Sequence, residues 1–159
     1  QKTHGGSMRY VIARKGERKI KKNVTKLIRT EKKQCLNKIS SCLKFKKNCL
    51  KSKRNFQNQI FSLKKSGKKI YGYAASAKSS TVLNFCGIDN KYIDYVVDST
   101  KEKIGKYTPG THIPIVSETF FRKNYPDIVI LNSWNHKKEI ISKEKKYVKM
   151  GGKFISHVK

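Results

Sequence analysis

The residues best suited to bind an anion lie between Gly72 and Ser80, where an apolar run gives way to small and hydroxylated residues. Small residues at a strand-to-helix junction let backbone amides approach a phosphate, and the first turn of the helix adds its positive end. A lysine and several hydroxyl groups would reinforce such a site. The candidate binding residues in this segment are Gly72, Tyr73, Ser76, Lys78 and Ser79.

The same segment comes close to two known phosphate-binding patterns and matches neither. A Walker A loop would need glycine where Ala77 stands, and the dinucleotide fingerprint G-x-G-x-x-G would need it at Ala74. No apolar strand ending in aspartate is well placed beyond Asp98, which disfavours an NTPase. The alternative is a tight turn that only packs the helix on the strand.

Four further residues are candidates for the same pocket. Asp98 follows an apolar run, where a ribose-binding acid stands in related folds, or it only caps the next segment. Two prolines and a glycine fix the loop that carries Thr111 and His112, and we expect this loop at the carboxyl end of the sheet. Asn135 follows a later strand, where it either caps a helix or contacts the ligand, while the preceding Trp134 either stacks on a base or fills the core.

Other kinds of chemistry have little support. His4, between a threonine and two glycines, is a candidate general base, although a surface loop is the plainer interpretation. Cys35, Cys42 and Cys49 recur every seven residues, roughly 10 Å apart on a helix, too far for neighbours to share a zinc ion. We therefore predict no metal site and expect buried, reduced thiols.

The elements that must position these residues alternate along residues 68–159. Apolar runs that read as strands are separated by helical segments closed by glycine, and Ser117 stands where a helix N-cap is expected. This order predicts an α/β, Rossmann-like fold with a mostly parallel sheet and flanking helices. A single helix is expected from Asn135 to Lys149.

A basic helical arm is predicted at residues 17–67, where apolar residues recur at three- and four-residue spacing without any glycine or proline from Glu17 to Ser66. Residues 1–16 read as a loop and a short strand, Met8–Arg14. Residues 1–70 hold 23 Lys/Arg against 2 Asp/Glu. Either a polyanionic partner such as nucleic acid explains this excess, or it reflects lysine-rich codon usage alone.

No apolar stretch approaches the length of a membrane span, and no secretory segment is evident. These features predict a cytoplasmic chain without a membrane partner. Because the sequence begins at Gln1 without an initiator methionine, we also expect a fragment.

Taken together, the blocks resemble the C-terminal region of the S-adenosylmethionine-dependent C-methyltransferases that act on thymidine-diphosphate-linked sugars. The blocks fall in the family's order along the whole chain, and the Gly105–Pro114 block is the most specific. Ala74 stands where the family has a second glycine. The matching segments are His4–Arg9, Gly72–Lys78, Asn84–Ile88, Val96–Asp98, Gly105–Pro114, Pro126–Ile128, Trp134–His136 and Gly151–Ile155.

The resemblance implies a role in acceptor recognition. Residues 72–80 and the Thr111-His112 loop would hold the diphosphate and nucleoside of the nucleotide-sugar. The S-adenosylmethionine-binding motif and the usual carboxylate–histidine pair are absent from this sequence, so a methyl-donor domain in cis or in trans would supply them. The chain alone is then not expected to catalyse methyl transfer. The alternative function is a basic nucleic-acid-binding module on a Rossmann-like scaffold.

Overall fold

The computed structural model describes residue 1 and residues 6–158. The chain divides into two units, Gln1–Lys51 and Ser52–Lys159. The first contains helix α1 (Lys22–Lys33) and the start of helix α2 (Ile39–Lys65), so the arm consists of two helices. The boundary falls inside α2 because the second part of that helix packs on the sheet of the second unit, through Phe56 and Ile60.

The first unit departs from the sequence prediction at two points. Residues 6–14 form no strand, and no strand lies beside them among the described residues, so the predicted Met8–Arg14 strand has nothing to pair with. Cys42 is exposed rather than buried, while Cys35 and Cys49 are half-buried. In the second unit Cys86 is buried as expected.

Helix α1 carries its charges and its apolar residues on opposite sides. Four cations, Lys22, Lys26, Arg29 and Lys33, follow one another along one side with a spacing of three or four residues. Val24, Leu27 and Ile28 lie on the other side and remain 41–47% exposed. No helix within the described residues is both long and apolar enough to cross a membrane.

The second unit is built on a sheet of five strands that all run parallel. The predicted α/β, Rossmann-like fold with flanking helices is therefore confirmed. The strands pair in the order β3-β2-β1-β4-β5. They are β1 (Ile70–Tyr73), β2 (Tyr95–Val97), β3 (Ile115–Val116), β4 (Ile128–Leu131) and β5 (Lys153–Ile155).

Helices connect β1 to β2, β3 to β4 and β4 to β5, whereas residues 98–114 join β2 to β3 without a helix. Three of the helix ends follow from local sequence. Ser76 caps α3 by accepting a hydrogen bond from the Ser79 amide, and Ser117 caps α4 in the same way, as predicted. Gly87 ends α3 in the left-handed conformation, with φ +63°. The helices are α3 (Ala77–Cys86), α4 (Glu118–Lys123), a 3₁₀ turn (Trp134–His136), α5 (Lys137–Lys143) and α6 (Lys145–Lys149).

The single helix predicted from Asn135 to Lys149 is wrong, because the chain breaks at Glu144. This residue has φ −108° and ψ +37°, outside the helical range. Its side chain is only 1% exposed and receives hydrogen bonds from Tyr73 and Arg122. A buried carboxylate requires such partners, and Glu144 reaches them from a backbone conformation that is not helical.

Two apolar layers cover the sheet. On one face, α2 and α3 pack apolar side chains, mainly aliphatic ones, onto Ile70 and Ile130. On the other face, α4, α5 and α6 pack against Tyr71 and Tyr73. Because both faces are covered, the strands are almost continuously apolar, as in other parallel sheets.

The order of strands places a topological switch point between β1 and β4. The chain passes from β1 to β2 and β3 on one side, then crosses to β4 and β5 on the other. Connecting segments diverge at such a point and leave a crevice outside the carboxyl ends of the strands, where open α/β sheets bind ligands. We call this end of the sheet the carboxyl edge and the opposite end the amino edge.

Gly152→Ala should destabilise the domain by about 2–3 kcal/mol, because a Cβ there would overlap the Tyr147 ring. That ring cannot shift easily, since its hydroxyl is held by Asp127 and Lys153. Gly151→Ala is the matched control: Gly151 has φ +87° and open space, so strain alone should cost about 1 kcal/mol. Urea unfolding measures both, and equal losses would contradict the steric explanation.

Candidate functional site

The turn that joins β1 to α3 is held from the ends of both neighbouring strands. The Ala74 amide donates to the Val97 carbonyl oxygen, 2.8 Å away at the end of β2. Asn132, just past the end of β4, donates from Nδ2 to the Ala74 carbonyl oxygen at 3.3 Å. Asn132 also packs onto Gly72, where a Cβ would lie 2.8 Å from Nδ2. The glycine at position 72 is therefore needed to make room for Asn132.

Ala74 adopts a backbone conformation that favours glycine. Its φ is +75°, in the left-handed region. An L-residue there brings its Cβ too close to the carbonyl oxygen, at a cost of about 1–2 kcal/mol. The left-handed path of the turn would therefore suit glycine better than the alanine at position 74.

Asp98 acts within the protein as a partner of this turn. Its side chain accepts hydrogen bonds from the Ala75 amide (2.7 Å) and the Thr100 amide (2.8 Å), and Lys103 Nζ lies 3.4 Å away. Burial acts to raise the pKa of Asp98, but the hydrogen bonds from Thr100 and Ala75 and the Lys103 charge outweigh it, so the pKa lies below its usual value. Asp98 is therefore ionised at neutral pH, and its carboxylate is already hydrogen-bonded within the protein.

Several predicted binding residues meet across the switch point. Lys78 Nζ lies 3.2 Å from Asn135 Oδ1 and 4.9 Å from the centre of the Trp134 ring, within cation–π range. Ser133 Oγ approaches Ser76 Oγ at 3.5 Å. These contacts bring the start of α3 and the segment after β4 together, although more than fifty residues separate them in the chain.

The start of α3 offers free hydrogen-bond donors. The amides of Ala77 and Lys78 have no acceptor among the described residues. By contrast, the amides of Ala74 and Ala75 already donate within the protein. Ser79 is 1% exposed, and its Oγ has no partner in the described part of the chain. An anion at this edge would therefore meet the first turn of α3 and the Lys78 ammonium group, rather than Gly72 or the buried Ser79.

The chain is similar to known proteins along almost its whole length. Residues 2–158 match the family described as the C-methyltransferase C-terminal domain. The chain is also 31% identical over 153 residues to the C-methyltransferase NovU of Streptomyces niveus. That alignment covers 96% of this chain and 36% of NovU, so the chain spans about a third of the length of this relative. The chain belongs to the C-methyltransferase C-terminal domain family.

In this C-methyltransferase C-terminal domain, Thr111 and His112 lie at the amino edge, so their predicted placement at the carboxyl edge is wrong. They belong to the loop that leads into β3, and that strand begins only at Ile115. The loop instead contacts the end of α3, where Asn84 Nδ2 donates to the Pro109 carbonyl oxygen at 3.0 Å. Their contact with the nucleotide stays a prediction.

The two residues also differ in character. Thr111 is 3% exposed, and its hydroxyl lies 2.7 Å from that of Thr108, so it stabilises the loop from inside. His112 is exposed with φ +51°. Only the histidine therefore presents its side chain to solvent. His4, the candidate general base, lies outside the described residues.

Sequence reasoning missed a buried polar cluster that includes Tyr73. The Tyr73 hydroxyl lies 3.0 Å from Glu144 Oε1 and 3.2 Å from Glu118 Oε1. Arg122 contacts both glutamates, and Lys143 pairs with Glu118. Burial and the two glutamates raise the pKa of Tyr73 well above its usual value. Tyr73 thus ties β1 to the helices of one face, and no spacing in the sequence marks these partners.

A half-open cavity of about 610 Å³ lies at the amino edge. Its lining includes Lys68, Lys69, Asp127 and Gly152, which precede or begin strands. The Asp127 carboxylate there already accepts hydrogen bonds from the Lys69 amide at 2.8 Å and from Lys68 Nζ at 3.2 Å. This cavity lies at the end of the sheet opposite the switch point. We therefore place the candidate site at the carboxyl edge.

Ala74→Gly should stabilise the domain by about 1 kcal/mol, because glycine relieves the left-handed strain at a small entropic cost. Ala75→Gly is the control. Position 75 does not have a positive φ, so glycine there should cost about 0.5–1 kcal/mol. Urea unfolding at pH 7 measures the free energies, and a destabilised Ala74→Gly variant would contradict the strain.

Asp98→Asn should lower the free energy of unfolding by about 2 kcal/mol at pH 7. Because the folded pKa of Asp98 lies below its unfolded value, its contribution is present above about pH 4 and is lost as pH falls further. The difference in free energy of unfolding between the variant and the wild type should therefore become smaller below pH 4. Glu102→Gln, which changes an exposed carboxylate in the next segment, should show little gap at any pH. Unfolding curves from pH 7 to pH 3 test this, and a constant gap for Asp98→Asn would contradict it.

Proposed function

We propose that this domain binds the nucleotide-sugar acceptor of an S-adenosylmethionine-dependent C-methyltransferase, with the diphosphate at the carboxyl edge. The observation that carries the proposal is the pairing of free amides at the start of α3 with the Lys78 ammonium group at the switch point. Both groups attract an anion, and the helix end adds its dipole. Membership of the C-methyltransferase family supplies the reaction.

In this proposal Lys78 exchanges one partner for another. Its ammonium group now donates to a neutral amide, Asn135 Oδ1, and lies over the Trp134 ring. A diphosphate oxygen is a stronger, charged acceptor, so it would replace Asn135 and free that side chain to contact the nucleoside or sugar. Asn135 and Lys78 thus become the main binding residues, and Ser76 keeps the cap of α3 in place.

The methyl donor does not fit the same turn. Donor binding by a Rossmann-like turn uses an open acid to hold ribose hydroxyls, and Asp98 is already bonded to Ala75, Thr100 and Lys103. We therefore propose that a methyl-donor domain, in the same polypeptide or in a separate one, binds S-adenosylmethionine. The acceptor would lie between that domain and the carboxyl edge.

A second candidate function, nucleic-acid binding, is favoured by one observation. The four cations of α1 stand in a line about 17 Å long on a side of the helix without acidic residues. Such a line can neutralise several phosphates, and the affinity would then fall steeply with salt. This function would use α1 and leave the sheet as a scaffold.

Isothermal titration with thymidine diphosphate tests the first function. The wild type should bind one nucleotide per chain at about 0.15 M salt and still bind at about 0.5 M salt, because few phosphate contacts give a weak dependence on salt. Lys78→Ala should weaken binding by about tenfold or more, as expected for hydrogen bonds to a charged group. Lys91→Ala removes the same charge from a turn outside the carboxyl edge and should leave the affinity unchanged.

A mixed-sequence DNA duplex in a parallel titration separates the two functions. No nucleotide binding, together with duplex binding that weakens by orders of magnitude between the two salt concentrations, would overturn the acceptor function. Replacing the four α1 cations with glutamine should then abolish duplex binding.

A further inference from the structure

The two-residue turn after β1 has its backbone polar groups bonded to three side chains of the second unit. Asn132 binds the Ala74 carbonyl oxygen, and Asp98 binds the Ala75 amide. Lys103 Nζ donates to the Ala75 carbonyl oxygen at 2.9 Å. Three side chains, one after β4 and two in the connection after β2, therefore define the path of two alanines.

This support matters because the turn is strained and leads directly into the proposed binding residues. Ala74 is held at φ +75° although alanine disfavours it. Ser76 and Lys78 follow within four residues, so a change in the path of the turn moves the free amides at the start of α3. Strained conformations persist only where surrounding contacts fix them.

Lys103 is well placed to fix the turn and poorly placed to bind a ligand. Its ammonium group is directed to the Ala75 carbonyl oxygen and to Asp98, both inside the unit. Its own segment is anchored, since the Lys103 amide donates to the Thr100 carbonyl oxygen and the Thr100 amide donates to Asp98. Asp98, Thr100 and Lys103 thus form a closed set of contacts around Ala75.

We propose that Lys103 is a positioning residue for the acceptor diphosphate: it holds the Ala74-Ala75 turn so that the first amides of α3 face the anion. The proposal rests on the proposed function for its ligand. In this proposal Lys103 does not contact the acceptor. Asp98 supports the same turn, because it binds both the Ala75 amide and Lys103.

Lys103→Met tests the proposal, because methionine keeps the apolar stem and removes both hydrogen bonds. The first measurement is amide hydrogen exchange of Ala74 and Ala75 without ligand, since both amides are hydrogen-bonded in the wild type. We expect their exchange to be about tenfold faster in the variant, with unchanged rates in β4. The second is titration with thymidine diphosphate, for which we expect about fivefold weaker binding.

Two further variants make the result specific. Lys103→Arg keeps the charge and the donors and should restore both the exchange rates and the affinity. Lys101→Met removes an exposed lysine from the same segment and should leave both unchanged, which controls for charge alone. If Lys103→Met fails to fold, Lys103→Gln, which is shorter, is measured against the same two criteria.

The outcomes separate this proposal from the proposed function. Weaker nucleotide binding with unchanged exchange at Ala74 and Ala75 would make Lys103 a direct ligand and overturn the positioning role. Unchanged affinity with faster exchange would also overturn it. If the wild type itself fails to bind thymidine diphosphate, the acceptor function fails, and the Lys103 proposal loses its ligand with it. Faster exchange in Lys103→Met would then show only that Lys103 stabilises the turn.

Discussion

The hydrogen bonding of the chain where β1 becomes α3 is the requirement on which the carboxyl edge depends. A parallel strand buried on both faces leaves polar backbone groups at its end that cannot reach water freely. Here the end of β2 supplies an acceptor for Ala74, and Asn132 after β4 supplies a donor. The hydrogen bonds of this turn thus depend on the strand order, because β1 lies between β2 and β4 and both neighbours supply partners.

The two faces of the sheet stabilise this edge in different ways. The face covered by α2 and α3 is mainly aliphatic, and its contacts are non-directional. The other face combines aromatic rings with a charged cluster, in which Tyr73 contacts the buried Glu144 and Arg122 balances that charge. A buried carboxylate without such partners would be strongly unfavourable. The last residue of β1 therefore belongs both to the core and to a polar network that joins α4 to the residues before α6.

Local pattern predicted most of the elements, because caps, glycines and apolar runs act over a few residues. Ser76, Ser117 and Gly87 end or begin helices where expected. The predictions are wrong where the local structure depends on residues that are distant in the sequence. Glu144 interrupts a helix where its side chain accepts a hydrogen bond from Tyr73, 71 residues away in the chain. The Thr111-His112 loop is predicted at the carboxyl end of the sheet, but it leads into the amino end of β3. Asn132 went unnoticed because one asparagine after a strand has no distinctive spacing.

The position of Trp134 has a practical consequence for spectroscopy. It is the only tryptophan in the sequence, whereas the chain has 8 tyrosines and 7 phenylalanines. Its ring lies beneath the Lys78 ammonium group and edge-on to His157. Fluorescence excited selectively at the indole therefore originates at the carboxyl edge alone, so the protein carries an intrinsic optical reporter beside Lys78 and needs no attached dye.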